Sequence, residues 1–339
     1  MDKSVALFTI LAILLLSSNT LAGDGCGLPI VHGAAGGVLF VAALETTPYR
    51  IVAWRVGSDT PRRVALDLPG RLLPVRSGSG AAAWLASAGA SRDVHLFRLT
   101  AAGEKNAAGT LHTVGEPISF SWSGAEWIVV ATLDNGRRRV EAFRRAGAQW
   151  RPHGGVRSDD LCTPRPFVGA RSSIVCGGWR FSADAPPQTI NVDGNRELAD
   201  VYADGRELVE LRLEDLTVLT SSDGGAHWRA MPRPWAPASK FTSAPEAIGR
   251  GGDAPLLSWI ADGRVHIVTF QKNAWITVLD APAEDVRGLG GPAAVVDHAV
   301  VLLGLCYRTR DHAPDSFDAG VIDHGAMRRV AVTLSPPSP

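Results

Sequence analysis

The chain has 339 residues, its 34 Lys and Arg are balanced by 34 Asp and Glu, and 45% of its residues are apolar. This composition excludes a largely disordered chain, and the neutral charge disfavours nucleic-acid binders, which need clustered positive charge. The 36 Gly and 22 Pro predict many turns and few long helices.

Residues 1–22 are typical of a secretory signal peptide. A lysine precedes an apolar stretch from Val5 to Leu16, and Ala22 follows at the expected cleavage site. The stretch rises about 18 Å as a helix, which is too short for a membrane core of roughly 30 Å. We therefore expect an exported protein, periplasmic or extracellular, with no membrane span after cleavage. A retained membrane anchor and a lipid anchor on Cys26 are the alternatives.

The four cysteines are Cys26, Cys162, Cys176 and Cys306. In an exported protein an even number of cysteines predicts two disulfides. We favour Cys162–Cys176 as a local bridge and Cys26–Cys306 as a link between the two ends of the chain. Four buried free thiols are the alternative, and zinc is disfavoured because no C-x-x-C spacing occurs.

Two segments repeat one pattern, in which a tight turn joins two apolar runs and a second turn leads to an aromatic residue. One segment is 127–150, with the first turn at Asn135-Gly136, and the other is 256–275, with the first turn at Asp262-Gly263. Asn-Gly and Asp-Gly between apolar runs predict β-hairpins, because such turns need positive φ.

Looser copies of this pattern fill the rest of the chain. The second turn of each copy falls at Gly57, Gly103, Gly147, Gly194, Gly225, Asn273 and Gly325. In the fourth copy, the two strands are predicted at Ser172–Gly177 and Thr189–Val192. The mean spacing of about 45 residues is typical of a propeller, whose small sheets must stack on one another to bury their faces.

The repeats predict an all-β propeller of about seven blades over residues 23–334. Six or eight blades, or two β-sandwich domains, are the alternatives. Residues 335–339, rich in Pro and Ser, are expected to be disordered.

One segment fits a longer motif, S-x-D-x-G-x-x-W, at Ser221, Asp223, Gly225 and Trp228. The hydroxyl and the carboxylate can accept hydrogen bonds from turn N–H groups, the glycine can take positive φ, and the indole can pack on its sheet. The motif resembles the Asp-box, or BNR repeat, of the β-propeller superfamily that includes sialidases and sortilin-type receptors. The resemblance implies a propeller with a structural turn at this place, away from any catalytic face, and leaves the function open.

The same resemblance raises the question of sialidase activity, which implies an arginine clamp, a Tyr–Glu nucleophile pair and an Asp acid/base. Tyr49-Arg50-Ile51 is similar to the first clamp motif but lacks its proline, and Tyr307 is the late tyrosine. No spacing places a Glu beside Tyr307. A sialidase-like exo-glycoside hydrolase is therefore the alternative function, and no catalytic residue is predicted.

Three Asp-His pairs, Asp297-His298, Asp311-His312 and Asp323-His324, carry groups that could bind a divalent metal. Asp is also common in turns for backbone reasons, so we predict no metal site. The run Arg137–Arg139 follows a hairpin turn and predicts a solvated edge strand.

Most of the ten Trp are expected to pack inside the sheets. Trp122, Trp179 and Trp235 lie nearer to loops and are candidates for a sugar- or peptide-binding face. We predict a non-enzymatic binding or scaffold protein that holds an unknown protein or glycan ligand on loops at one face of the ring. It is expected to act as a monomer, without cofactor and without nucleic acid.

Overall fold

The computed structural model describes residues 30–43, 50–58, 61–79, 83–89, 91–123, 126–157, 165–167, 173–176, 179–182, 185–190, 199–204, 207–212, 217–223, 226–247, 256–271, 274–296, 299–307 and 316–333. This part of the chain is nearly all β-strand, with one short 3-10 helix at Ala283–Val286. No helix within it is long and apolar enough to cross a membrane.

The described strands form seven sheets. The first contains β1 (Ile30–Ala35), β2 (Val38–Ala43), β3 (Arg50–Arg55) and β4 (Arg62–Val64), and the second β5 (Arg71–Leu72), β7 (Ala83–Ala88), β8 (Asp93–Leu99) and β9 (Lys105–His112). The third contains β6 (Val75–Ser79), β10 (Glu116–Ser123), β11 (Trp127–Asp134), β12 (Arg137–Ala146) and β13 (Gln149–Arg157).

The remaining four sheets have four strands each. The fourth contains β14 (Arg165–Phe167), β15 (Ser173–Cys176), β16 (Trp179–Ser182) and β17 (Ala185–Thr189), and the fifth β18 (Ala199–Asp204), β19 (Glu207–Arg212), β20 (Thr217–Ser221) and β21 (Arg229–Ala230). The sixth contains β22 (Phe241–Ala247), β23 (Leu256–Ala261), β24 (Arg264–Gln271) and β25 (Ala274–Pro282), and the seventh β26 (Leu289–Val296), β27 (Ala299–Tyr307), β28 (Ser316–Asp323) and β29 (Ala326–Thr333).

The second and third sheets are joined by backbone hydrogen bonds. Strand β5 pairs with β7 of the second sheet, but β6, which follows at once, pairs in parallel with β10 of the third. Pro74 lies between them, and its carbonyl accepts the Phe120 N–H at 3.0 Å. Proline suits the point where a strand leaves one sheet for another, because it has no N–H to offer a ladder.

Each sheet packs on the next along the chain, mainly through large apolar side chains. The first sheet meets the second around Phe40 and Leu85, and the second meets the third around Trp84 and Phe120. The third meets the fourth around Trp127 and Phe181. The fifth meets the sixth around Val218 and Trp259, and the sixth meets the seventh around Leu256 and Val300. Between the fourth and fifth sheets, β14 and β15 contact β18.

The seventh sheet packs on the first and closes the ring. Leu39 and Val301 are fully buried in this junction, and the rings of Trp54 and Phe317 meet edge to face with centroids 6.1 Å apart. Replacing such a ring by Ala costs about 3–5 kcal/mol, so the closure is a substantial part of the core. A series of sheets in which each packs on the next and the last packs on the first is a propeller, and the predicted all-β propeller fold is confirmed.

Several predicted turns have the expected backbone. Asn135 and Gly136 have φ of 52° and 77°, and Asp262 and Gly263 have φ of 52° and 74°. These paired positive values fit the two-residue hairpins that join β11 to β12 and β23 to β24. Gly325 has φ of 78° between β28 and β29.

The fourth repeat was assigned wrongly. Its second predicted strand, Thr189–Val192, does not pair with β15; the partner is β16, Trp179–Ser182, and β17 follows at Ala185–Thr189. Strand β17 was missed because its two prolines disfavour a strand, yet it pairs on one side only, and an edge strand tolerates proline. Gly194, the predicted second turn of this repeat, lies outside the described residues.

Candidate functional site

The turn after β20 has much of the hydrogen bonding that its motif predicts. One carboxylate oxygen of Asp223 accepts the N–H groups of Ala226 and His227, each at 3.0 Å, and the Ser221 hydroxyl donates to the same oxygen at 2.7 Å. The other carboxylate oxygen lies 2.7 Å from His227 Nδ1. Ser221 thus acts as a donor to Asp223.

These contacts explain the electrostatics of the turn. The N–H of His227, the Ser221 hydroxyl and the His227 ring hold the pKa of Asp223 well below its ordinary range. Trp228 is half-buried directly before β21, while Gly225 lies outside the described residues. The described contacts of the turn are thus local, between Asp223 and residues 221–227.

The predicted disulfides stay predictions. Cys176 lies on β15 and Cys306 on β27, but Cys26 and Cys162 lie outside the described residues, so neither bridge is described. The predicted signal peptide at residues 1–22 and the predicted tail at residues 335–339 also lie outside them.

The two residues suggested by the sialidase resemblance lie at the same end of neighbouring sheets. Arg50 begins β3 and Tyr307 ends β27, each next to the connection between the second and third strands of its sheet. Tyr49 lies outside the described residues, and within them no group of three His, Cys, Asp or Glu could hold a metal. Of the Asp-His pairs, only Asp323-His324 is described, with Asp323 Oδ1 2.7 Å from His324 Nδ1.

The candidate aromatic face is not open to a ligand. Trp122 is 1% exposed and Trp235 is 7% exposed, because both pack in the core between sheets. Trp179 is half-buried beside the core between the third and fourth sheets. The loop position of these residues in the sequence therefore did not predict exposure.

A cleft lies where the seventh sheet meets the first. Its volume is about 570 Å³, within the range of small-ligand sites. Buried Val296, Ala299 and Val321 and half-buried Met327 and Val56 supply apolar lining.

Charged side chains stand around this apolar lining. Arg55 comes from β3, Arg328 from β29 and Asp323 from the end of β28. Arg328 donates to the Gly57 carbonyl at 3.2 Å and so links the last sheet to the first. Gly37, between β1 and β2, also borders the cleft. The cleft therefore opens at the end of each sheet where its first strand turns into its second and its third into its fourth.

A buried carboxylate that the sequence did not reveal binds the connection that leads into the third sheet. Glu141 is 5% exposed; its oxygens accept the N–H groups of Val114 at 2.9 Å and Gly115 at 3.2 Å, and the Thr132 hydroxyl at 2.8 Å. The connection from β9 to β10 is thereby fixed to β11 and β12. No local motif marks Glu141, because its backbone partners lie 26 and 27 residues away.

Scans against models of known protein families and against curated proteins found no match. Solved structures of similar shape include the β-propeller domain of the trilobed protease of Pyrococcus furiosus, with a TM-score of 0.49, 8% identity, and coverage of 92% of this chain and 97% of that chain. Streptogramin B lyase has a TM-score of 0.45 and 12% identity over 80% of this chain and 86% of that chain. The WD40 domain of Toxoplasma gondii coronin has a TM-score of 0.43 and 8% identity over 91% and 86%.

Proposed function

We propose that this propeller is a non-enzymatic binding or scaffold protein whose protein or glycan ligand docks in the cleft between the seventh and first sheets. The observation that carries the proposal is a half-open cleft whose lining combines apolar and charged side chains. Such a combination gives a ligand both buried apolar contact and a fixed orientation.

The charges indicate what part of a ligand the cleft would hold. Arg55 is exposed and has no carboxylate partner among the described residues, whereas Asp323 is already in contact with His324. An arginine fork matches a carboxylate, so the ligand group at this edge is expected to be anionic and joined to an apolar part. A glycan with an acidic sugar or a peptide with an acidic residue beside an apolar one meets this description.

The test is to block the cleft and screen for loss of binding. Ala326 is exposed at the cleft, so Ala326→Trp adds bulk there with little effect on folding, and Ala102→Trp in the exposed turn of the second sheet is the matched control. We expect a glycan array and a random peptide display library to yield ligands for the wild type and for Ala102→Trp. At least tenfold weaker binding by Ala326→Trp supports the proposal; equal binding by all three proteins contradicts it.

The sialidase-like alternative is favoured by one observation, the position of Arg50 and Tyr307 at the same end of adjacent sheets. It is tested with a fluorogenic sialoside. We expect no turnover, and turnover that Arg50→Ala abolishes would replace the binding proposal with the enzymatic one.

A further inference from the structure

Positive charge is concentrated on the two outer strands of the third sheet. Strands β12 and β13 carry seven arginines and a single acidic residue, although the whole chain is neutral. The seven are Arg137, Arg138, Arg139, Arg144, Arg145, Arg151 and Arg157, and we name them the arginine strip. The single acid, Glu141, is buried and bonded to backbone N–H groups and to Thr132, so its charge is directed inward.

Several of these arginines lie close together although their charges repel each other. Arg139 lies directly opposite Arg157, and Arg144 lies directly opposite Arg151. Like charges at opposed positions of an antiparallel pair are destabilising. In the described part of the chain, the one carboxylate within 4 Å of the strip is that of Glu126, 3.9 Å from Arg144.

Protection of an exposed sheet edge does not account for the strip. Edge strands often carry charge to prevent pairing with another chain. Here the edge strand is β13, whereas five of the seven arginines are on β12, which is paired on both sides. The two outer strands of other sheets carry fewer cations, since β16 and β17 together have one Arg, β24 and β25 have one, and β28 and β29 have two.

We propose that the arginine strip is a second interaction surface, which binds a linear anionic polysaccharide. Arginines at Arg137 and Arg145 are separated by about 26 Å along β12, at roughly 3.3 Å per residue, so the strip suits a chain with repeated charges, not a single ion. Alternation directs Arg138 and Arg144 toward the side of the fourth sheet and Arg139 and Arg145 toward the side of the second, so the strip follows the outer edge of the third sheet between its two neighbours.

Two further observations favour a polysaccharide over other polyanions. Single-stranded nucleic acids bind through exposed aromatic rings as well as charge, and the three Trp of the third sheet, Trp122, Trp127 and Trp150, are buried. The guanidinium groups offer paired donors that match sulfate and carboxylate oxygens.

The experiment measures binding of the full chain to dextran sulfate and to polygalacturonate, with uncharged dextran as the blank. The variant is Arg138→Glu/Arg151→Glu, whose two positions are exposed. The matched control is Arg63→Glu/Arg98→Glu, which makes the same change of charge at exposed positions of the first and second sheets. Thermal unfolding of each protein confirms that it is folded.

We expect the wild type to bind both polyanions, with affinity that falls as salt rises. The strip variant should lose at least tenfold in affinity and the control less than twofold. No binding by the wild type, or equal losses in the two variants, overturns the proposal.

The same measurement with single-stranded DNA and with vesicles containing anionic lipid separates the possible partners. Binding to either that is as tight as binding to the polysaccharides rejects the assignment to a polysaccharide. Because the strip and the cleft lie on different sheets, Ala326→Trp should leave polyanion binding unchanged.

Discussion

Two carboxylates accept similar hydrogen bonds but differ in burial. One is Glu141 of the third sheet and the other is Asp223 of the fifth. Glu141 and Asp223 each accept two successive backbone N–H groups and one hydroxyl. Glu141 is buried, and its partners are distant in the chain; Asp223 is exposed, and its partners lie within four residues. The comparison indicates that the first stabilises the packing of the ring, while the second shapes one turn.

The largest expected effect is at Glu141. Glu141→Ala leaves the N–H groups of Val114 and Gly115 without their acceptor and removes the nearer acceptor of the Thr132 hydroxyl, and unpaired buried groups cost about 3 kcal/mol of unfolding free energy. Urea unfolding measures this loss. Glu116→Ala, which removes an exposed carboxylate at the start of β10, directly after this connection, should change stability by less than about 0.5 kcal/mol. A loss of less than about 0.5 kcal/mol in Glu141→Ala would show that the buried carboxylate is dispensable.

A smaller effect is expected from the hydroxyl that donates to Glu141. Thr132 is fully buried, and Thr132→Val keeps its shape while removing one of three donors to the carboxylate. We expect a loss of about 1 kcal/mol by urea unfolding. Thr277→Val at an exposed position of β25 is the control, and it should be near neutral. Equal stability of the two variants would argue against a shared network at Glu141.

The comparison also shows what the sequence could reveal. The hairpins at Asn135-Gly136 and Asp262-Gly263 were predicted correctly because their geometry depends on neighbouring residues, and the N–H groups that Asp223 accepts are equally local. Glu141 and the cleft depend on chain segments brought together by the closed ring, and no local pattern encodes those contacts. For the same reason β17 was missed, since its tolerance for proline comes from its place at a sheet edge.

A local effect is expected at Asp223. Asp223→Asn weakens the acceptor for the amides of Ala226 and His227, so their hydrogen exchange should become faster. Global stability should fall by less than in Glu141→Ala, because water can reach the turn and replace lost partners. Ser222→Ala, at the exposed neighbouring position, is the control and should leave the exchange of both amides unchanged. Global unfolding as severe as that of Glu141→Ala would contradict the contrast between the two carboxylates.

The smallest expected effect is visible only in acid. The folded-state pKa of Asp223 is depressed, chiefly by the His227 N–H, so its stabilising contribution is present above the ordinary Asp value of about 3.9 and is lost as pH falls through the lower folded value. A carboxyl NMR titration should therefore find Asp223 still ionised at pH 3. In Ser221→Ala the hydroxyl donor is absent, and the pKa of Asp223 should move back toward its ordinary range. An unchanged titration in that variant would mean that the backbone N–H groups and the His227 ring hold the charge without the hydroxyl.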